Sequence, residues 1–333
     1  MAADDKSPPI WRKRRRRVGS IVAAILFAGT VAGVAAEPYP TRPVRLLVGF
    51  PAGGPTDIPA RFIADRLSQQ LGQKVFVEDK PGAGGMIALD DMLAQPKDGY
   101  NLQLCTYFDA INTLLYKNVS YKLSDIAPIT LVSKYYYLMA LAKSVPVDTL
   151  DQFITYAKAH PGDILYGTVG AGSTQELVAH ELEKTTGIKM TKVPFKGSTE
   201  ITQEMLAGRV HFQVGPTLAI APYYKTGELK VIATTSPERL KAFPEIPTLT
   251  ERGYALTPYG WLGVCAAAGT PKPIVDLLNK HITSITQSDE YRQFLEKAGS
   301  ISAATTPEEF GRVLAQTVRD AAPYVHEFHM QIE

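Results

Sequence analysis

The chain has 333 residues, with 35 Lys and Arg against 33 Asp and Glu, a formal net charge of +2. The basic excess sits in the first 36 residues; residues 37–333 hold 28 of the basic and 31 of the acidic residues, a net of −3. No basic stripe remains in that part, which excludes nucleic acid as an expected partner.

Residues 1–36 read as a leader. Arg12-Lys13-Arg14-Arg15-Arg16-Arg17 is a basic n-region, and residues 18–36 are apolar, built from small side chains, and end in Val34-Ala35-Ala36. That pattern is a secretory signal cleaved near Ala36, which places the protein in the periplasm. An uncleaved anchor is the competing reading, because the apolar run is barely long enough to span a bilayer. Gly29, Thr30, Gly33 and several alanines make it a poor anchor. No cysteine follows it, which argues against a lipoprotein, and the arginine run leaves a twin-arginine route open.

About 300 residues remain, more than one core usually holds, so two domains are expected. Strand-like and helical runs alternate, which argues an α/β class. Val44–Val48 is an apolar strand, followed by Phe50-Pro51-Ala52-Gly53-Gly54-Pro55-Thr56-Asp57. Ala60, Ile63, Ala64, Leu67 and Leu71 then recur at helical spacing over 58–71, and Gly72 stops that helix. Thr56 or Asp57 caps it, and Pro59 is tolerated in its first turn. A glycine pair before a helix N-terminus lets the backbone approach a ligand and aims amides at it, so an anion is held without a lysine. An ordinary tight turn that binds nothing is the alternative.

Further strands are expected at Val75–Glu78, Leu102–Thr106, Tyr136–Ala142, Ile164–Gly167, Met190–Val193, Phe212–Gly215, Val231–Thr234 and Trp261–Ala266. Helices are expected at 86–94, 151–159, 174–186, 199–207, 272–286, 289–297 and 307–320. Two joints resemble the opening loop: Gly167 leads through Thr168-Val169-Gly170-Ala171-Gly172-Ser173-Thr174 into a helix, and Gly215-Pro216-Thr217 ends a strand. Ligands of open α/β sheets bind beyond the carboxyl ends of strands, so three such loops from two halves of the chain outline a cleft of amides and hydroxyls. Cys105 and Cys265 lie in apolar runs and read as buried free thiols, with a bridge left open.

Several of these segments together resemble the Bug family, the extracytoplasmic substrate-binding proteins of tripartite tricarboxylate transporters. The matching pieces are Tyr39-Pro40-Thr41-Arg42-Pro43, Gly49 through Asp57, Glu78-Asp79-Lys80-Pro81-Gly82-Ala83-Gly84-Gly85 and Pro96-Lys97-Asp98-Gly99-Tyr100. They continue with Tyr166 through Ser173, Val193-Pro194-Phe195-Lys196-Gly197 and Ala207-Gly208-Arg209-Val210, so the resemblance covers 39–333.

The resemblance implies a two-lobed type II periplasmic-binding-protein fold, with lobe one at about 38–140 plus 263–333 and lobe two at about 141–262. The hinge would be two strand crossovers near Leu138–Lys143 and Tyr259–Val264. It further implies a carboxylate ligand between the lobes, held by Phe50, Gly53, Gly54, Thr56 and Asp57, by Gly170, Gly172, Ser173 and Thr174, and by Gly215 and Pro216. Thr106 and Tyr107 would join from the first lobe. Integral-membrane transporter subunits are the implied partners, and a monomer is the expected state.

The chain departs from the family pattern at Ala52, where a second proline is common, and at Gly215, where an aspartate is common. Losing that acid is expected to leave room for a second carboxylate, hence a dicarboxylate or bulky acid. Tyr107, Phe108, Tyr259 and Trp261 could stack on an aromatic acid, or simply pack the core and hinge. Tyr135-Tyr136-Tyr137 reads as a strand with alternating faces.

The rival readings are a secreted enzyme and a sensor that signals to a membrane kinase. No Gly-x-Ser-x-Gly elbow, His-Glu-x-x-His pair or Gly-Lys-Ser/Thr phosphate loop occurs, so no catalytic residue, cofactor or metal is expected. Ser173 is better read as a helix cap, and His326 with His329 as a helix-surface pair. Arg61 and Lys196 are read as solvated or packing charges.

Overall fold

The computed structural model describes residues 38–332, so the leader expected at 1–36 lies outside the described residues. The chain opens with β1 (Val44–Val48), α1 (Asp57–Leu71), β2 (Val75–Asp79), α2 (Met86–Ala94), β3 (Asn101–Thr106), α3 (Tyr107–Leu115) and β4 (Ile126–Tyr135). It continues through β5 (Tyr137–Ala142), α4 (Leu150–Ala159), β6 (Ile164–Thr168), α5 (Thr174–Thr186), β7 (Met190–Pro194) and α6 (Ser198–Leu206). Then come β8 (Phe212–Pro216), α7 (Thr217–Lys225), β9 (Leu229–Thr234), β10 (Gly260–Ala267), α8 (Lys272–Thr286), α9 (Asp289–Glu296), β11 (Ser300–Ser302) and α10 (Pro307–Glu327).

These strands form two sheets, ordered β11-β4-β10-β3-β1-β2 and β7-β6-β8-β5-β9. β1 runs parallel to β2 and β3, and β6 parallel to β7 and β8. In the other sheet positions β10 is antiparallel to β3 and β4, and β5 antiparallel to β8 and β9. The fold is thus a two-lobed α/β architecture. The chain leaves the first sheet at Tyr135, enters the second at Tyr137, and returns between Thr234 and Gly260. Each crossover strand is buried along its whole length, which stiffens the pivot: β5 and β10 have no exposed residue.

The amphipathic helices cover the sheet faces that the sequence periodicity marked. Ile63 and Leu67 of α1 and Leu278 and Ile282 of α8 pack with Leu46, Val48, Leu104 and Ile129 of the first sheet. Phe153, Val178 and Leu182 cover Leu141, Phe212 and Val214 of the second. Gly72 ends α1 with φ +66°, its amide bonded to the Ser68 carbonyl, a conformation that suits a residue without Cβ.

Two features differ from the sequence expectation. Cys105 and Cys265 are not free thiols: they are joined as a disulfide, with Cα atoms 6.0 Å apart. They lie 160 residues apart in sequence, but β3 and β10 are antiparallel neighbours that bring them together. The elements α3, β4, α7 and β11 were also absent from the sequence reading. β4 escapes notice because both its faces are largely buried, which hides the period of two, and Pro128 interrupts it.

Candidate functional site

The strand ends of both sheets face a common cleft, and the loops that cross it touch. A Cβ placed on Gly197 would sit 2.8 Å from the Pro51 ring, and one on Gly172 would sit 2.5 Å from the Leu115 side chain. Thr217 Oγ1 meets Ser300 Oγ at 2.8 Å, and Lys225 Nζ donates to the Lys297 carbonyl at 2.6 Å. The lobes are therefore closed on one another, around a cavity of about 40 Å3.

Five helices begin at the wall of that cavity. Thr56 is the N-cap of α1; Thr106, Tyr107 and Phe108 open α3; Gln175 is the second residue of α5. Gly197, Ser198 and Thr199 open α6, and Pro216 precedes α7. Each helix start carries amides without an intrahelical acceptor and the positive end of the helix dipole. Among the described residues, the amides of Tyr107, Gln175, Ser198 and Thr199 have no protein acceptor. The Thr56 hydroxyl is buried without a partner. Among the described residues, no Lys, Arg, His, Asp or Glu lines the cavity. The hydrogen-bond donors that face it are backbone amides and neutral side chains, which suits carboxylate oxygens.

Five aromatic rings, with Pro51, Pro55 and Val169, make up most of the rest of the wall. Phe50 and Phe108 lie 5.7 Å apart, Tyr107 and Phe108 6.0 Å, and Tyr135 and Tyr137 5.5 Å. Tyr135 ends β4 and Tyr137 begins β5, so 135–137 is the crossover between the sheets and not the single alternating strand expected, yet both rings border the cavity. Burial pushes the phenols of Tyr107, Tyr135 and Tyr137 up, so they stay neutral donors.

Buried groups behind the wall hold it in place. Gly53, at φ +71°, donates its amide to Asp57 Oδ2 at 2.7 Å. Asp57 also accepts from Arg61 Nε at 2.9 Å, and Arg61 reaches Asp79 at 2.7 Å. Desolvation and the nearby Asp57 push Asp79 up to about 6. In α3, Thr106 and Asp109 form a capping box: the Thr106 amide donates to Asp109 Oδ2 at 2.6 Å, and Gln103 donates to Oδ1 at 2.8 Å. Burial pushes Asp109 up to about 7. In the second lobe Ser173 caps α5, accepting from the Glu176 amide at 3.3 Å and sharing a 2.7 Å hydrogen bond with Thr168.

Of the residues expected from the sequence, Phe50, Gly54, Thr56, Thr106, Tyr107 and Pro216 border the cavity. Gly53 and Asp57 stand behind the first loop. Gly170 and Gly172 shape the second loop, and Ser173 lies beneath it as a fully buried cap. Thr174 faces a separate chamber on the far side of Tyr107. Gly215 lies in β8, and a Cβ there would meet Ile220 at 2.6 Å. The absence of an acid at 215 therefore does not enlarge the cavity. The sequence reading missed Gln175, Ser198 and Thr199 as wall residues, and missed that Tyr135 and Tyr137 face the cavity. A Thr-x-x-Asp spacing at 106–109 marks the start of α3 and was the available signal there.

Comparison with known proteins agrees with this architecture. Residues 59–330 match the family model described as the tripartite tricarboxylate transporter family receptor. The periplasmic binding protein BugD is 28% identical, with a TM-score of 0.84 over 89% of this chain and 100% of its own. R. palustris Rpa4515, solved with adipate, is 30% identical, with a TM-score of 0.84 over 86% of this chain and 97% of its own. MatC from Rhodopseudomonas palustris, solved with malate, is 25% identical, with a TM-score of 0.81 over 86% and 100%. Relatives of this kind are periplasmic receptors that bind carboxylates and are not enzymes. With that match over most of its length, the chain belongs to the Bug-type receptors of the tripartite tricarboxylate transporter family.

Proposed function

We propose that this protein captures a small dicarboxylate in the cleft between its lobes and delivers it to a tripartite tricarboxylate-type membrane transporter. The observation that carries this reading is the convergence of five helix N-termini on one cation-free cavity. The helix starts come from both lobes: α1 and α3 from one side, α5, α6 and α7 from the other. A ligand with two carboxylates can engage one set with each end and so favour the closed form. The adipate bound to Rpa4515 and the malate bound to MatC support a diacid. The aromatic walls are compatible with a diacid that carries a ring.

The expected lobe division, 38–140 plus 263–333 against 141–262, is part of the proposal. Sheet membership supports it in outline, with the first crossing at Tyr136 and the second within 235–259. Action in the periplasm, after cleavage of the leader near Ala36, belongs to the same proposal. A thermal-shift and calorimetric screen against aliphatic diacids, aromatic diacids, monoacids and acidic amino acids tests it. A diacid at a hundred times its Kd adds about 2.7 kcal/mol of stability, and monoacids of equal length add less. No shift with any acid overturns the receptor assignment of this cleft.

A further inference from the structure

A second chamber of about 240 Å3 lies directly behind one wall of the carboxylate cavity. Tyr107 borders both spaces. Thr174 faces the chamber while its neighbour Gln175 faces the cavity. The Tyr107 ring and the Thr174–Gln175 step thus form the shared boundary of the two spaces. The Tyr107 hydroxyl has no hydrogen-bond partner among the described residues, so turning the ring breaks no polar contact.

The chamber has its own chemistry. Tyr107, Tyr259, Trp261 and Tyr324 supply aromatic surface, and Tyr259 is 42% exposed, a ring left without full cover. Trp261 is fixed from behind, its Nε1 donating to Thr317 at 3.1 Å. At the mouth stand Thr257 and Asp320. The Asp320 carboxylate takes one hydrogen bond, from Gln316 at 2.5 Å on Oδ1, and its field reaches the phenols of Tyr107 and Tyr259. No Lys or Arg lines the chamber. The polarity is opposite to that of the cavity: amide N–H groups on one side of Tyr107, a carboxylate on the other. Apolar cavities of about 150 Å3 hold benzene, so the chamber has room for a ring with a polar substituent.

We propose that the chamber is a second compartment of the ligand site, which receives an aromatic arm of the bound acid tipped with a hydrogen-bond donor. The proposal rests on the receptor reading above and narrows its ligand class: a diacid held in the cleft, bearing a side arm such as a phenol. A third carboxylate on the arm would face Asp320, while Lys134, over the Tyr259 ring at 5.8 Å, is not among the residues that line the chamber.

The test is calorimetric titration of the protein purified after expression of the full chain. The probes are succinate, benzylsuccinate, (4-hydroxybenzyl)succinate and (4-carboxybenzyl)succinate. Benzylsuccinate is expected to bind about tenfold tighter than succinate through burial of the ring. The hydroxyl is expected to add about fivefold more, and the carboxyl on the arm to remove the gain. Ala255→Trp fills the chamber from outside the carboxylate cavity. It is expected to abolish the preference for arm-bearing acids while succinate still binds; Asp320→Asn is expected to abolish only the advantage of the hydroxyl. If succinate binds but the arm gives no gain, or Ala255→Trp leaves the gain intact, the chamber proposal is overturned and the receptor reading stands. If the 4-carboxy probe binds tightest, the donor polarity is wrong. If no probe binds, the receptor reading fails and takes this proposal with it.

Discussion

The two walls of the cleft reach the same end by different chemistry. The first-lobe wall is braced by buried carboxylates: Asp57 ties Gly53 to Arg61, and Asp109 closes the cap of α3. The second-lobe wall is braced by neutral hydroxyls, with Thr168 and Ser173 paired under α5, by glycines that let its loops reach Pro51 and Leu115, and by a single buried carboxylate in the first turn of α5, Glu176, paired with Lys192 at 2.5 Å. A carboxylate brace is strong where its partners are charged or backbone N–H groups, but it is tied to protonation. A hydroxyl and glycine brace is indifferent to pH and sensitive to shape. Charge perturbations should therefore register in the first wall as stability, and steric ones in the second as closure.

The largest effect should come from the first wall. Asp57→Ala leaves the Gly53 amide and one side of Arg61 without a partner, and Asp57 is 1% exposed. Because Arg61 is half exposed and keeps Asp79, the loss falls at the low end for a broken buried pair, about 3 kcal/mol, read by urea denaturation. A loss below 1 kcal/mol would remove Asp57 as a brace.

Next comes the second wall. Gly197 has φ −167°, an extended backbone that any residue adopts, so Gly197→Val acts only through the clash with Pro51. Overpacking of this kind costs about 1–3 kcal/mol, which falls on the closed form and weakens ligand binding by about 5- to 150-fold. The unliganded protein opens to relieve the clash, so its denaturation midpoint should barely move. Equal losses in affinity and stability would contradict the division of labour between the walls.

The smallest effect is a slope. Asp109 is raised to about 7 and Asp79 to about 6 in the folded protein, both above their unfolded values. The folded state therefore binds more protons between pH 4 and 7, and these two groups make stability fall as pH rises through that window. Asp91, lowered to about 2 by Arg45 and Lys80, works the other way, contributing stability above pH 4 that is lost as pH falls toward 2. Asp109→Asn should flatten the decline between pH 5 and 7, measured as denaturation midpoints across a buffer series. An unchanged slope would mean that Asp109 does not titrate in that range.

Much of this was open to reading in the chain itself. A short apolar strand, a glycine turn and a helix with Ala60, Ile63, Ala64 and Leu67 on one face are local patterns, and local patterns survive without tertiary knowledge. The family match followed from several such patterns in order. What escaped had two causes, a local signal passed over at α3 and partners distant in sequence at the disulfide. α3 begins within the wall, yet its first turn, Tyr107-Phe108-Asp109, puts two aromatics before a carboxylate whose burial only Gln103 and Thr106 make tolerable. The Cys105–Cys265 bridge depended on β10 lying beside β3.

The sequence by itself determined the α/β class, the loops that end the parallel strands and the affiliation, because hydrophobic period, glycine position and helix caps act within a few residues. The tertiary structure alone decided which helix starts share one cavity and that Tyr107 borders two spaces. Those outcomes depend on how two sheets close on a pair of crossover strands. The direction in which a side chain points after closure is fixed by packing between segments more than a hundred residues apart.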